Sequence, residues 1–382
     1  MTLNSDMHQK RLRIGILTVP LIKESIPSLK NLISVTNFCS DTITLITGNE
    51  GSYFFNDTHV QCYSVNIKYH RHLVQKCLFF FYVQIIQAFY LLQTSKNVDI
   101  WIFFLGEERQ ILPLIVAKCL GKKVIISSSG SSRQCAQFSN DPFLYYIWGL
   151  SKITYILADC LILYSNRFID DLNLHGLKEK IFISHTSFTD INKFNLKTPL
   201  PEREKIVGYL GRLSPEKGIV NFIHSIPEIL KIIPDVQVHI AGVGTLKNEL
   251  SEYIDDHHIS DRVHFLGWVD DDELPIFLNK IQLLIIPSYT EGLPGVLLES
   301  MSCGTPALAM PVGAIPDIII NEKNGFILKN NSPKEISKEI VNIMQNFDLS
   351  EISDNAQDTI LQNFSFKPIA ERYCNILKTQ LL

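Results

Sequence analysis

From Lys205 onward, short apolar runs alternate with longer segments whose apolar residues recur every three or four positions. The runs KIVGYLG (205–211), VQVHIAG (236–242), RVHFLGWV (262–269), IQLLIIPS (281–288) and PALAMPV (306–312) predict strands. The periodic segments between them predict helices over Ile219–Ile233, around Leu246–Asp255, from the Asp270-Asp271-Asp272 run, and over Val296–Cys303. Alternation at this spacing predicts a parallel, doubly wound α/β sheet. The first half repeats the pattern less regularly. There RIGILTV (13–19), TITLIT (42–47), VDIWIFFLG (98–106), KKVIISSSG (122–130) and CLILYS (160–165) read as strands, with helices near 107–119 and 142–157. Two Rossmann-like domains follow, residues 1–198 and 199–365, joined through the polar, Pro-bearing LKTPLPEREK (196–205). A last periodic run, 366–382, is expected to pack back on the first domain.

One apolar segment fits neither pattern. CLFFFYVQIIQAFYLL (77–92) is interrupted only by Gln84 and Gln87 and is apolar all round. It falls short of the roughly 20 residues that span a bilayer. Two readings fit it: a buried helix, or a helix resting in a membrane interface beside Lys68, Arg71 and Lys76.

Composition narrows the class. With 382 residues, 46% hydrophobic and 19% charged, the chain supports two cores and little disorder. A formal net charge of −4 argues against broad nucleic-acid binding. The eight cysteines form no C-x-x-C pair and fall mostly in apolar runs, so thiols in a reducing, cytoplasmic compartment are expected rather than disulfides or a metal site. The N-terminus lacks the long apolar core of a signal peptide.

In doubly wound sheets ligands bind beyond the carboxyl ends of the strands, so the loops after each strand carry the chemistry. Gly211-Arg-Leu-Ser-Pro-Glu-Lys-Gly218 leaves a strand and opens a helix, and Arg212 and Lys217 add positive charge to that helix end. This suits a diphosphate, although the order of a Walker loop is absent. Gly242-Val-Gly244 permits close backbone approach. Lys247 stands where a dinucleotide fingerprint has its third glycine, which counts against hydride transfer.

The stretch SYTEGLPGVLLESMSCGTP (288–306) holds Glu291 before a short helix and Glu299 within it. Helical spacing puts Glu299 on the edge cleared by Gly295, with Leu297, Leu298 and Met301 on the other side. Two carboxylates so placed suit hydroxyls at the two ends of an extended ligand; the bland alternative makes Glu291 a helix cap and leaves Glu299 solvated. Pro311-Val-Gly-Ala-Ile-Pro-Asp317 forms a further glycine turn. The Asp270–Asp272 run is read as helix capping in preference to metal binding. His257-His258 lacks ligand spacing.

In order and spacing, GRLSPEKG, GVGTL, HFLGWV, the 288–306 stretch and PVGAIPD resemble the family-4 (group 1) glycosyltransferases of the GT-B fold, over about Ile206 to Leu328. The Glu291/Glu299 pair matches that family's E-x7-E motif. The resemblance implies two Rossmann-like domains facing a cleft, a nucleotide-sugar (UDP- or GDP-sugar) co-substrate, no metal and retention at the anomeric carbon. It implies that Arg212 and Lys217 hold the diphosphate against Gly211, Gly242 and Gly244, and that Glu299 takes the ribose hydroxyls. Glu291 would contact the donor sugar with Gly292, Leu293, Gly295 and Val296. Leu266, Gly267 and Trp268 would lie near the base.

The first domain departs from the family pattern. Thr18-Val19-Pro20-Leu21 replaces a glycine pair, and Ser129, before Gly130 and Ser131, stands where many members carry a histidine. These three remain the acceptor-side candidates. The expected activity is sugar transfer to a glycan or polyprenyl-linked acceptor, from the cytoplasm or the inner face of the membrane. The alternatives are a non-catalytic subunit that binds a sugar nucleotide or a partner enzyme, and a sugar-nucleotide epimerase.

Overall fold

The structure is a computed structural model that describes residues 11–66, 73–128, 130 and 142–381. The chain divides into two compact units, Met1–Thr186 with Ile369–Leu382, and Ser187–Pro368.

The first unit holds seven strands: β1 (Leu12–Leu17), β2 (Ser40–Thr47), β3 (Val60–Ser64), β4 (Ile100–Phe104), β5 (Lys123–Ser128), β6 (Cys160–Leu163) and β7 (Ile181–Ile183). All pair in parallel in the order β3-β2-β1-β4-β5-β6-β7. The central strands are buried on both faces, which is why IWIFF in β4 reads as a continuous apolar run. The edge strands β3 and β7 were not predicted. Each is short, and β3 alternates polar with apolar side chains. Only ladder partners such as Ile43 for Val60 define them as strands.

The second unit repeats the plan with β8 (Ile206–Leu210), β9 (Gln237–Ala241), β10 (Val263–Gly267), β11 (Leu283–Ile286), β12 (Ala307–Ala309) and β13 (Phe326–Ile327), in the order β10-β9-β8-β11-β12-β13. Its core is aliphatic. Ile219, Phe222, Ile226 and Ile229 line the inner face of helix Ile219–Ile232 and meet Ile336, Ile340 and Ile343 of helix Pro333–Asn346.

The segment 196–205, expected as the join, lies inside the second unit. Arg203 holds it there. This guanidinium is only 6% exposed and donates to the carbonyls of Thr198, Leu278, Ile281 and Cys303 and to the Thr305 hydroxyl. Burial lowers its pKa to about 10. Arg203→Met is expected to destabilise this unit by about 3 kcal/mol or more, because bonds from a charged donor are worth about 1.5–3 kcal/mol each. A denaturant melt that leaves the midpoint unmoved would refute this.

Two expectations need correction. The cysteines are not all thiols, since Cys39 and Cys374 are joined as a disulfide with Cα atoms 6.0 Å apart. Their sequence separation of 335 residues hides this pairing from any spacing rule. The Asp270–Asp272 run does not cap a helix: the helix starts at Leu274, and Glu273, its N-cap residue, makes no side-chain capping bond. Asp270 instead accepts the Trp268 indole N–H at 3.0 Å, while Asp271 and Asp272 pair with Lys193.

Candidate active site

The order of the second sheet reverses between β8 and β11, and a crevice opens at such a switch point. The loops after these two strands meet there. Lys217 leaves the short turn Pro215–Lys217 after β8, and its ammonium lies 2.7 Å from Glu291 Oε1 in the loop after β11. Their side chains are 23% and 10% exposed, so this pair is drawn well out of solvent. Two backbone features place it. Gly218, at φ +67°, sits so close to β11's exit that a Cβ would fall 2.0 Å from the Pro287 carbonyl oxygen. Gly313, at φ +56°, lies under Glu291 and Gly292, and Ala314 N–H donates to the Gly292 carbonyl at 2.8 Å. The turn at 311–317 thus buttresses the Glu291 loop.

Helix Gly295–Ser302 follows, with Pro294 as its N-cap residue and Gly304 in the left-handed region beyond its end. Leu297, Leu298 and Met301 are buried and fix the helix's rotation. Glu299 consequently rises along the other edge, where its Oε1 lies 3.8 Å from the position a Cβ on Gly295 would take. Burial, with a smaller push from the Asp271 charge, moves its carboxyl up to about 7, against the opposing pull of Lys193. The helix has no side-chain cap, so Glu291 does not cap it.

These groups line one cavity of about 580 Å³. Gly211, Arg212, Lys217, Gly242, Trp268, Glu291, Leu293, Gly295, Val296 and Glu299 are in its wall. Arg212 is at the rim, with its side chain 70% exposed and paired with Glu216 at 3.2 Å. The remaining predicted residues sit behind or beside the wall. Gly244 packs against the Leu213 carbonyl, the Gly267 carbonyl accepts the Gly242 N–H at 2.7 Å, and Leu266 and Gly292 do not line the cavity. Gly242 earns its place geometrically: at φ +143°, a Cβ would fall 1.9 Å from the Gly211 carbonyl oxygen.

Three residues of the site escaped the sequence reading. Asp271 lines the cavity and is held by Lys193. Tyr209 donates its hydroxyl to the Arg212 carbonyl at 2.8 Å and steadies the first loop. Ser288 is buried in the cavity wall. Lys193 lies far from the motif in sequence and carried no signal; Tyr209 lay inside a strand pattern that already accounted for it.

In the first unit, Ser129 and Ser131 lie outside the described residues, and Gly130 accepts the Ser128 hydroxyl at 3.1 Å. The switch point there lies between β1 and β4. The loop after β4 carries Glu107, whose carboxyl is pushed up to about 8 by burial and by the neighbouring Glu108. Among the described residues no cluster of His, Cys, Asp and Glu has metal-holding geometry.

Residues 190–358 match the family Glycosyl transferases group 1. Fold and site therefore define the class as far as the fold: a chain of the GT-B fold whose second unit contains a stretch similar to the group 1 glycosyltransferases. The fold is shared with HepE of Anabaena, solved in complex with UDP. The two superpose with a TM-score of 0.77 at 18% identity, over 96% of this chain and 100% of that one. An uncharacterized glycosyltransferase of Methanocaldococcus jannaschii, MJ1607, is 28% identical over 205 residues, covering 53% of this chain and 52% of the relative. The UDP-Gal:alpha-D-GlcNAc-diphosphoundecaprenol alpha-1,3-galactosyltransferase of Escherichia coli is 29% identical over 187 residues, 46% of each chain. The matched stretch thus spans about half the length of these two curated relatives.

Proposed function

We propose that the protein is a retaining, metal-independent glycosyltransferase that moves a sugar from a UDP- or GDP-sugar to a glycan or polyprenyl-linked acceptor at the cytoplasmic membrane surface. One observation carries this reading: the Lys217–Glu291 pair and Glu299 share a single cavity at the β8/β11 switch point. A diphosphate entering the cavity competes with Glu291 for the Lys217 ammonium. Lys217 then neutralises charge that develops on the leaving phosphate, and Glu291 is released to accept sugar hydroxyls. Glu299, as a carboxylate, accepts the ribose hydroxyls.

In the transfer step the bond from the anomeric carbon to the β-phosphate oxygen breaks, and its electron pair stays on that oxygen. The acceptor oxygen bonds to the same face of the carbon. Its proton passes to the leaving phosphate, so neither glutamate acts as nucleophile. Of the relatives, HepE was solved with UDP and the E. coli enzyme is named for a diphosphoundecaprenol acceptor, which supports a nucleotide donor and a lipid-linked acceptor.

A panel of UDP-, GDP- and ADP-sugars tests the proposal. One nucleotide series is expected to raise the melting temperature, with nucleotide released when extracted membrane lipid is supplied. No shift with any donor would sink the reading. Binding without transfer of radiolabel to lipid marks a non-catalytic subunit instead, and donor isomerisation without acceptor marks an epimerase.

A further inference from the structure

The strand order of the first unit reverses at β1, so the connections β3→β4, β4→β5 and β5→β6 all run in the same direction across the sheet. Right-handed crossovers then put their three helices, Leu73–Thr94, Ile111–Cys119 and Pro142–Leu157, on one face. They pack there as neighbours, the middle one touching both others.

The outer surface of this layer is apolar. On the first helix Leu78, Phe81, Tyr82, Ile85, Phe89 and Leu92 are exposed at helical spacing. Leu112 and Ile115 of the second helix and Ile153 and Ile156 of the third are exposed as well. Scattered exposed apolar residues are ordinary, but a face built by three adjacent helices marks a docking surface.

The first helix is apolar enough to cross a membrane by length and composition, yet its inner side belongs to the fold. Val83, Ala88 and Leu91 are buried, the Gln84 carbonyl oxygen accepts the Leu112 N–H at 2.9 Å, and the Gln87 amide donates to the Thr18 carbonyl at 2.8 Å. A helix tied in this way lies on a bilayer and does not span it.

Charge selects the occupant. In a chain of net charge −4, residues 58–98 contain no Asp or Glu while carrying Lys68, Arg71, Lys76 and Lys96. Residues 109–140 likewise hold no acid, and Lys152 is exposed on the third helix between the acids Asp141 and Asp159. A second copy of the same face would set the exposed Lys96 and Lys152 against their own counterparts, because a two-fold contact apposes like with like. Anionic headgroups complement them.

We propose that this three-helix face is a docking surface for an anionic phospholipid bilayer, with Phe81, Ile85 and Phe89 entering the headgroup–acyl boundary. It gives the membrane element of the proposed function a location and a lipid class, and it rests on the first unit alone.

The test is flotation of the full-length protein with phosphatidylcholine vesicles, made with and without phosphatidylglycerol. The parent is expected to float with the anionic vesicles and weakly with the neutral ones. Phe81→Asp with Ile85→Asp is expected to lower the bound fraction by about tenfold or more, since two apolar side chains that would enter the boundary are replaced by charges. An unchanged circular-dichroism melt keeps misfolding out of that comparison. Lys76→Gln with Lys96→Gln, which spares the apolar face, is expected to reduce only the preference for phosphatidylglycerol. The proposal is overturned if the parent ignores both vesicles, or if the aspartate variant floats as well as the parent. It also fails if the parent forms a dimer that the aspartate substitutions dissolve while vesicle binding is absent. A protein that floats but shows no nucleotide-induced melting shift keeps this surface and loses the transferase reading.

Discussion

Lys217→Ala is expected to lower nucleotide release from the donor by about 10²–10³-fold in kcat, the loss found when one preorganised partner of a developing charge is removed. The argument rests on position. Lys217 is the cavity-lining cation drawn furthest out of solvent, 23% exposed, against 70% for Arg212. Its partner Glu291, 10% exposed, would be left with an uncompensated charge, so donor affinity should fall together with the rate. Arg212→Ala should cost much less, about tenfold or below, because an exposed ion is screened by water and already shared with Glu216. Steady-state assays that separate kcat from KM check both variants. A Lys217→Ala enzyme with undiminished kcat would remove this residue from the chemistry and leave it a structural partner of Glu291.

Nucleotide affinity is expected to fall as the pH drops below about 7. Burial, and then the Asp271 charge, raises the Glu299 carboxyl from the ordinary 4.5 to about 7, while Lys193 opposes the rise. In the proposed role of Glu299 the ribose hydroxyls need an acceptor, so binding would select the carboxylate, and below about 7 the proton would first have to leave. Each pH unit below that point costs up to about 1.4 kcal/mol, or tenfold, giving a loss approaching 10²-fold by about pH 5.

The effect on fold stability has the opposite sign. A carboxyl whose pKa is raised by folding holds its proton more tightly in the native state. Its contribution is full below 4.5 and is lost as the pH rises through about 7. Titration calorimetry with UDP and GDP between about pH 5 and pH 8 separates the two effects. Glu299→Gln should flatten the pH dependence of binding. Lys193→Met should move its midpoint upward, because the cation that opposes the rise is gone. A parent whose affinity is level across this range would refute the assignment of Glu299 to the ribose.

Much of the second unit was legible from its residues. Strands in the interior of a parallel sheet are apolar on both faces, so β8, β9 and β11 stand out as continuous runs. The loops that follow are marked by glycines which the backbone demands. Gly218 and Gly242 have positive φ and no room for a side chain, and such positions write themselves into a sequence. The helical repeat alone put Glu299 across the helix from Leu297 and beside Gly295, as the structure has it. The first unit was less legible, since β3 and β7 become strands only through their neighbours.

The sequence by itself thus determined the two parallel sheets, the loops that line the site, and the apolar character of the segment at 77–92. These depend on residues close together in the chain, whose periodicity and turn chemistry are local. Only the tertiary structure decided who meets whom. It brought Lys217 to Glu291 across 74 positions, Lys193 to Asp271 across 78, and Cys39 to Cys374 across 335. It also showed that the apolar helix has an outer face that joins two others in one surface. The physical reason is that such pairings follow from the order in which strands assemble and the side on which each crossover lies, and no local pattern carries that information.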